Sequence, residues 1–410
     1  MSDLGLNNKK SCHHSKQGET TIPHNQNKNY DKSFVEERRK WIEEKTACNL
    51  KHISVYSEEE ESMRGNIENL IGVCHIPLGV AGPVKINGEY AKGDFYVPLA
   101  TTEGALVLTY NRGMRVLTKS GGANVRVLRD EMHISPAFYV ENLIDAENFI
   151  KWIKTNFKEI KEIAETTTTH GKLLDIEPII MSRLVVLKFS YYTEDAQGLN
   201  MINKASERAC EFIKQETRKN YVLRSNYSSI KKAANSMIHK GQGKSVFVDA
   251  LISKECLRLL GVSAKEMENY FKITQLSSIY GGMLHNNAHF ANAIAAMFIA
   301  CGQDVADIST SHIGISGCEV ESEDSLYVSA YIPNLFVGTV GGGTALGTQK
   351  ECLEMVGCYG TGKSKKFAEI VGSVALAGEL AVLAAVANKT YVAAHEKYGR
   401  NYPANKGLKH

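Results

Sequence analysis

The chain has 410 residues, of which 43% are hydrophobic and 23% charged, with a formal net charge of +3. This length supports two or three domains with a sizeable core, and the composition is that of an ordinary globular protein. Lys and Arg are scattered rather than striped, which excludes a nucleic-acid-binding protein. The nine cysteines are dispersed and form no CxxC pair; an odd, scattered set indicates reduced thiols in a cytoplasm and no metal site.

Residues 1–33 open with a stretch rich in Asn, Lys, Ser and His, the composition of a disordered tail rather than of a targeting sequence. Residues 34–65 carry closely spaced Glu, Arg and Lys among scattered apolar positions and predict a small helical N-terminal domain. From residue 66 Val, Ile, Gly and Pro dominate, and Asn87-Gly88 is a hairpin signal. Thr102 is positioned to cap a helix over the apolar run that follows Gly104.

Residues 141–222 alternate helix-like and strand-like stretches, ending in an amphipathic helix over roughly 200–218, and predict an α+β unit inserted in a larger domain. Residues 66–140 and 223–395 form that larger domain. Within it, 223–245 read as a polar loop leading into a strand, 284–302 as an amphipathic helix, and 326–337 as a strand that delivers the chain into Gly338-Thr339-Val340-Gly341-Gly342-Gly343-Thr344. Residues 370–388 approach the length of a membrane span, but Glu379 sits in their middle and Ala and Gly outnumber large apolar residues, which predicts a helix buried in protein. Residues 396–410 read as a flexible polar tail.

Several residues are candidates for chemistry. Glu103, at the start of an apolar helix, is either a helix-dipole partner or an acid with a raised pKa. Lys231-Lys232 is either solvated surface or, if one lysine is buried, an ammonium able to stabilise a developing alkoxide. Asp304 follows an apolar helix, where the dipole disfavours an acid, and that local conflict hints at function. His395 is either a helix-dipole partner or an imidazole suited to protonating a thiolate leaving group. Asp195 can cap the helix after it, and the amides of such an N-terminus bind phosphate. The backbone of the glycine-rich stretch can approach a ligand closely, or it can simply turn.

Together these segments resemble the 3-hydroxy-3-methylglutaryl-CoA (HMG-CoA) reductases, in the soluble catalytic portion of the eukaryotic and archaeal type. The motifs are Glu68 to Gly72, Pro77 to Pro83, Ala100 to Gly104, Asn111-Arg112-Gly113, Asp195 to Met201, Asn287-Ala288-His289, Gly302-Gln303-Asp304 and Gly338 to Thr344. The resemblance implies an α+β fold: a large mixed domain around a long buried helix, with a small inserted, ferredoxin-like nucleotide-binding domain. It implies NADPH-dependent reduction of a thioester to an alcohol, with HMG-CoA to mevalonate as the default reaction, NADH as the other possible donor and no metal. Glu103, Lys231 and Asp304 match the family's catalytic acid, oxyanion-stabilising lysine and tuning aspartate, and His395 matches the histidine that protonates CoA. Nucleotide contacts are implied at Asp195, Gln197, Gly198, Leu199, Asn200, Gly341, Gly342 and Gly343, with Arg183 and Arg400 as candidates for a 2′-phosphate. Substrate contacts are implied at Arg224, Lys232, Tyr139, Asn287, His289 and Asn292. The family pattern further implies a homodimer or a dimer of dimers with active sites between subunits, a cytoplasmic location, and no membrane or nucleic-acid partner.

The departures from the family cluster around the acyl group. Ile230 replaces the aspartate before the lysine, Arg224 a serine, and Tyr139 an arginine; Val305 to Ile308 replace Pro-Ala-Gln-Asn, Phe336 a glutamate and Ala345 an asparagine. Gln197 and Leu199 replace two methionines. Three readings follow: an HMG-CoA reductase, a diverged paralogue acting on another acyl thioester or carbonyl, and a binding or regulatory homologue without turnover. Arg224 could restore the cation that Tyr139 lacks.

Overall fold

The computed structural model describes residues 22–25, 27–322 and 325–398, without the side chains of His395 and Tyr398. The chain forms two compact units, one ending at Ile76 and the other beginning at Pro77. In the first, the Lys32–Thr46 helix buries Val35 and Arg38. Burying a guanidinium is costly unless its donors are satisfied; Arg38 gives them to the carbonyls of Pro23 and Leu70 and to Asn29, which ties the helix to the chain on either side of it.

The second unit is built on a ten-stranded sheet: β1 (Leu78–Asn87), β2 (Lys92–Ala100), β3 (Ala123–Ile134), β4 (Ala137–Tyr139), β5 (Lys172–Met181), β6 (Leu184–Tyr192), β7 (Tyr221–Val222), β8 (Gly243–Ser253), β9 (Ile315–Ser322) and β10 (Ser325–Leu335). The spatial order is β7-β4-β6-β3-β8-β10-β9, with β5 on β6 and β2 on β1. All neighbours are antiparallel except β1 and β3. Strand β3 changes partners along its length: residues 124–131 pair with β8, and residues 132–134 with β6. Beyond that switch the chain runs β4, the Leu143–Thr155 and Phe157–Glu165 helices, β5, β6, the Leu199–Thr217 helix and β7. These elements enclose a hydrophobic core of their own, including Phe138, Phe149, Ile160, Phe189 and Ile213.

The strand expected over 326–337 is β10, and its burial alternates over 325–331 as a strand with one covered face requires. The long apolar helix spans Ser364–Ala387 and is buried along most of its length against β3, β8 and β10. It crosses the Leu106–Lys119 helix backbone to backbone: a Cβ added to Gly113 would stand 1.8 Å from the Ala377 carbonyl oxygen, so only glycine permits this approach. Its two buried acids are satisfied by backbone amides. Glu369 accepts from the N–H groups of Glu89, Tyr90 and Ala91, and Glu379 from those of Ala288 and His289.

Three local expectations are corrected, and the expected hairpin is present with a longer connection. The helix over 284–302 is confined to Phe290–Ala300, because residues 286–289 are drawn into a bridge with Ile315 and onto Glu379. Thr102 does not cap the next helix, which starts at Leu106 after a left-handed Ala105. The Asn-Gly hairpin has a four-residue connection, since Asn87 pairs with Lys92 and Glu369 holds the intervening amides. Asp195 does not cap the Leu199–Thr217 helix, whose N-cap is Gly198. Its carboxylate instead accepts from the amides of Gly362, Lys363 and Ser364 at the start of the long helix. Burial alone would raise the Asp195 pKa; these donors outweigh it and the net shift is downward.

Candidate active site

Glu103, His289 and Asn292 gather at one end of the Phe290–Ala300 helix, and Lys231, Asp304, Gln197 and the glycine stretch at the other. At its N-terminal end, Asn292 donates to the Glu103 carboxylate at 2.8 Å. His289 stacks on Tyr110, with ring centroids 5.0 Å apart, and the Tyr110 hydroxyl donates to the His289 carbonyl. Glu103, Thr109, Arg112, His289 and Tyr391 line a cavity of about 310 Å³. Tyr391 belongs to the Tyr391–Tyr398 helix, which also carries His395. The His395 side chain and Arg400 lie outside the described residues. Asn287 serves the backbone: its amide donates to the carbonyls of His312 and Gly314, and its oxygen accepts from the Phe290 N–H.

At the C-terminal end, the Lys231 ammonium donates to Asp304 at 2.5 Å, with both side chains about two-fifths exposed. Lys231 adopts φ 58°, and Ser229 and Asn226 of the same loop are also left-handed. Such a conformation costs a non-glycine residue about 1 kcal/mol and recurs at functional sites. Lys232 folds back onto the Ile230 carbonyl. Asp304 also accepts from the Ala306 amide, so it is the N-cap of a short 3-10 turn, Val305–Asp307.

The glycine stretch reaches the same end. Its Gly338 amide donates to the Gln303 side chain, and its Thr339 amide to the Asp195 carbonyl. Gly302 and Gly343 are in backbone contact. Gly341 and Gly342 have φ 76° and 55°, and a Cβ on either would meet nothing within 4 Å. The structure therefore brings Lys231, Asp304, Gln197 and the Gly338–Thr344 stretch together. Gly198 and Leu199 open the helix beside them, Leu199 packing on the small core, with Asn200 exposed in the first turn. Arg183 is not among this group. It lies exposed in the turn before β6, whereas Asp195 follows that strand's far end, about 25–30 Å away along a nine-residue strand. Tyr139 is exposed at the end of β4, paired with Leu184, and Arg224 is exposed on the chain leading to the lysine loop.

Two acids were not singled out as site residues from sequence. Asp307 is fully buried beside Asp304 and accepts from the Gln197 side-chain amide. Burial, reinforced by Asp304, pushes its carboxyl up to about 7, with Lys231 pulling the other way. Glu379 is raised to about 7 by burial, against donors from Ser316, Ala288 and His289. The available signals were an acid inside Gly302–Ile308 and another inside an apolar helix.

A family model described as hydroxymethylglutaryl-coenzyme A reductase matches residues 34–400. The chain is 47% identical over 382 residues to the 3-hydroxy-3-methylglutaryl-coenzyme A reductase of Methanocaldococcus jannaschii, covering 90% of this chain and 93% of that one. It is 43% identical over 385 residues to the Pyrococcus abyssi enzyme of the same name, covering 91% and 94%. Among solved structures, a class II 3-hydroxy-3-methylglutaryl-CoA reductase from Streptococcus pneumoniae, bound to NADPH in open conformations, shares the fold with a TM-score of 0.66 at 19% identity, over 86% of this chain and 96% of that one. The fold and the site define an α+β oxidoreductase acting on a CoA thioester. The chain belongs to the hydroxymethylglutaryl-coenzyme A reductase family.

Proposed function

We propose that the protein reduces (S)-HMG-CoA to mevalonate and free CoA, the committed chemistry of the mevalonate route to isoprenoids, using two NADPH and two protons per thioester. The observation that carries this reading is the Lys231–Asp304 pair set against the glycine stretch and Gln197. An ammonium there can stabilise the negative charge that grows on the thioester oxygen and then on the aldehyde oxygen. Asp304 orients it, Glu103 supplies an acid, and the helix carrying His395 borders the cavity at Glu103 and can protonate the departing thiolate.

The residues present fit NADPH. Gly341 and Gly342 offer unencumbered backbone at positive φ, suited to a pyrophosphate, beside Gln197 and the Leu199–Thr217 helix start. When bound, the dinucleotide supplies the hydride. The β4–β7 unit is read as the nucleotide-binding insert, of ferredoxin-like character; Arg400 stands as the candidate for the 2′-phosphate, since Arg183 lies at the far end of β6, and Arg224, Lys232 and Tyr139 stand as candidates for the acyl group.

Ile230 and Phe336, two of the family departures, favour HMG-CoA over another acyl group. Both side chains are buried and belong to the small core, so neither lines an open pocket with apolar surface.

Distance supports a homodimer that shares its active sites. Glu103 and Asp304 sit at opposite ends of an 11-residue helix, about 16 Å long, so one chain alone separates the acid from the lysine. The Ala264–Tyr280 helix exposes Ile273, Leu276, Ile279 and Tyr280, an apolar face suited to a second copy. We place the protein in a reducing cytoplasm. Purified protein should oxidise two NADPH per CoA released from HMG-CoA, and should prefer it in a panel of acyl-CoAs. No thioester-dependent oxidation would overturn the reading.

A further inference from the structure

Asp307 stands where the family pattern has glutamine, and its surroundings are unusual for a carboxylate. It is fully buried, one oxygen accepts from Gln197, and the other has no hydrogen-bond partner. An ionised carboxylate leaving an oxygen so exposed to apolar surroundings is strongly disfavoured. The charged groups facing it are Asp304, on its own turn, and Lys231, from the loop across it. The Phe290–Ala300 helix packed behind carries no ionisable side chain, and Gln197, Thr310 and Ser311 are neutral.

We propose that Asp307 is a positioning residue for the Lys231–Asp304 pair: as a neutral acid it leaves Asp304 the single anion beside the ammonium, and through Gln197 it fixes that pair to the nucleotide segment. Two carboxylates and one ammonium in so small a volume would carry a net negative charge. That charge opposes the alkoxide that Lys231 stabilises. Burial and Asp304 push the Asp307 carboxyl up to about 7, so the switch between the two states falls inside the working range. The chain would then trade the family's neutral glutamine for a group that is neutral only in the lower part of that range.

This inference rests on the proposed reductase reading of the site. The test compares the full-length protein with Asp307→Asn, which keeps the shape and cannot ionise, by measuring HMG-CoA-dependent NADPH oxidation at saturating substrate from pH 5.5 to 9. At pH 6 the two should agree within about twofold, since the asparagine mimics the protonated acid. From pH 6 to 8.5 the wild type should lose at least about threefold more of its rate than Asp307→Asn. Asp307→Ser, smaller and equally unchargeable, should give the same flattened profile. As a readout independent of turnover, the ¹³C carboxyl signal that Asp307→Asn or Asp307→Ser removes should titrate near neutrality in the wild type. Parallel rate profiles, or a carboxyl signal that titrates below pH 5, would overturn the inference. A wild type inert toward every thioester would overturn the reductase reading instead, while the carboxyl titration would still decide whether Asp307 is neutral.

Discussion

At its N-terminal end the Phe290–Ala300 helix meets groups whose hydrogen bonds are spent inside the fold; at its C-terminal end it meets groups left facing ligand space. Glu379 accepts from two amides and from the Ser316 hydroxyl, and Asn287 closes three backbone groups. By contrast Lys231 and Asp304 are two-fifths exposed, Gly341 and Gly342 face open space, and Asp307 keeps an oxygen without a partner. The first end is a rigid platform that presents Glu103. The second is held by few bonds and by a lysine in a costly backbone conformation, as expected where ligand completes the structure. The contrast teaches that the acid and the cation proposed for one reaction can be built on opposite physical principles.

The sharpest way to break the comparison is at the C-terminal end. Lys231→Ala should lower kcat by about 10²–10³-fold, yet leave the unfolding midpoint nearly unchanged, because a half-exposed ion pair contributes little to stability. A large loss of stability with an intact rate would reverse the roles assigned to the two ends.

A second test asks whether the two ends serve different sites. Co-expressing Glu103→Gln with Lys231→Ala, each inactive alone, should recover about a quarter of wild-type activity, because half of randomly paired dimers then contain one intact shared site. No recovery would mean that acid and lysine act within one chain.

The smallest effect is expected at the platform. The Glu379 carboxyl is raised from its ordinary 4.5 to about 7 in the fold. A raised acid contributes stability that is fully present below about pH 4.5 and is lost as pH rises toward 7. Glu379→Gln should therefore flatten the fall in unfolding midpoint between pH 4.5 and 7, with Asp307 accounting for a remaining slope of the same sign. An unchanged slope would show that Glu379 is ionised in the fold.

Elements with a long or regular pattern were legible in the sequence: the Ser364–Ala387 helix, β10, and the Leu199–Thr217 helix within the inserted segment. So was the presence of Lys231 and Asp304, as residue types out of keeping with their neighbourhoods. What escaped reading depends on contacts between distant parts of the chain. Asp195 reads locally as a cap for the helix that follows it, yet its carboxylate serves amides nearly 170 positions later. Residues 284–289 read as helix because nothing nearby announces that Glu379 and Ile315 take hold of them. Ile230 and Phe336 read as changes to a substrate pocket, whereas only the fold shows that they enter the small core.

The carboxylate of Glu369 has a consequence for how the molecule is made. It supplies the acceptors for the amides of residues 89–91, which lie 278–280 positions earlier. The connection between β1 and β2, among the first parts of the sheet to leave the ribosome, therefore lacks the protein acceptor for three of its amides until a helix near the far end of the chain exists. Closing contacts across so much chain is slow. The hairpin should mature late despite being early in sequence, and a chain released before residue 369 should leave it open to proteolysis and to pairing with other edges.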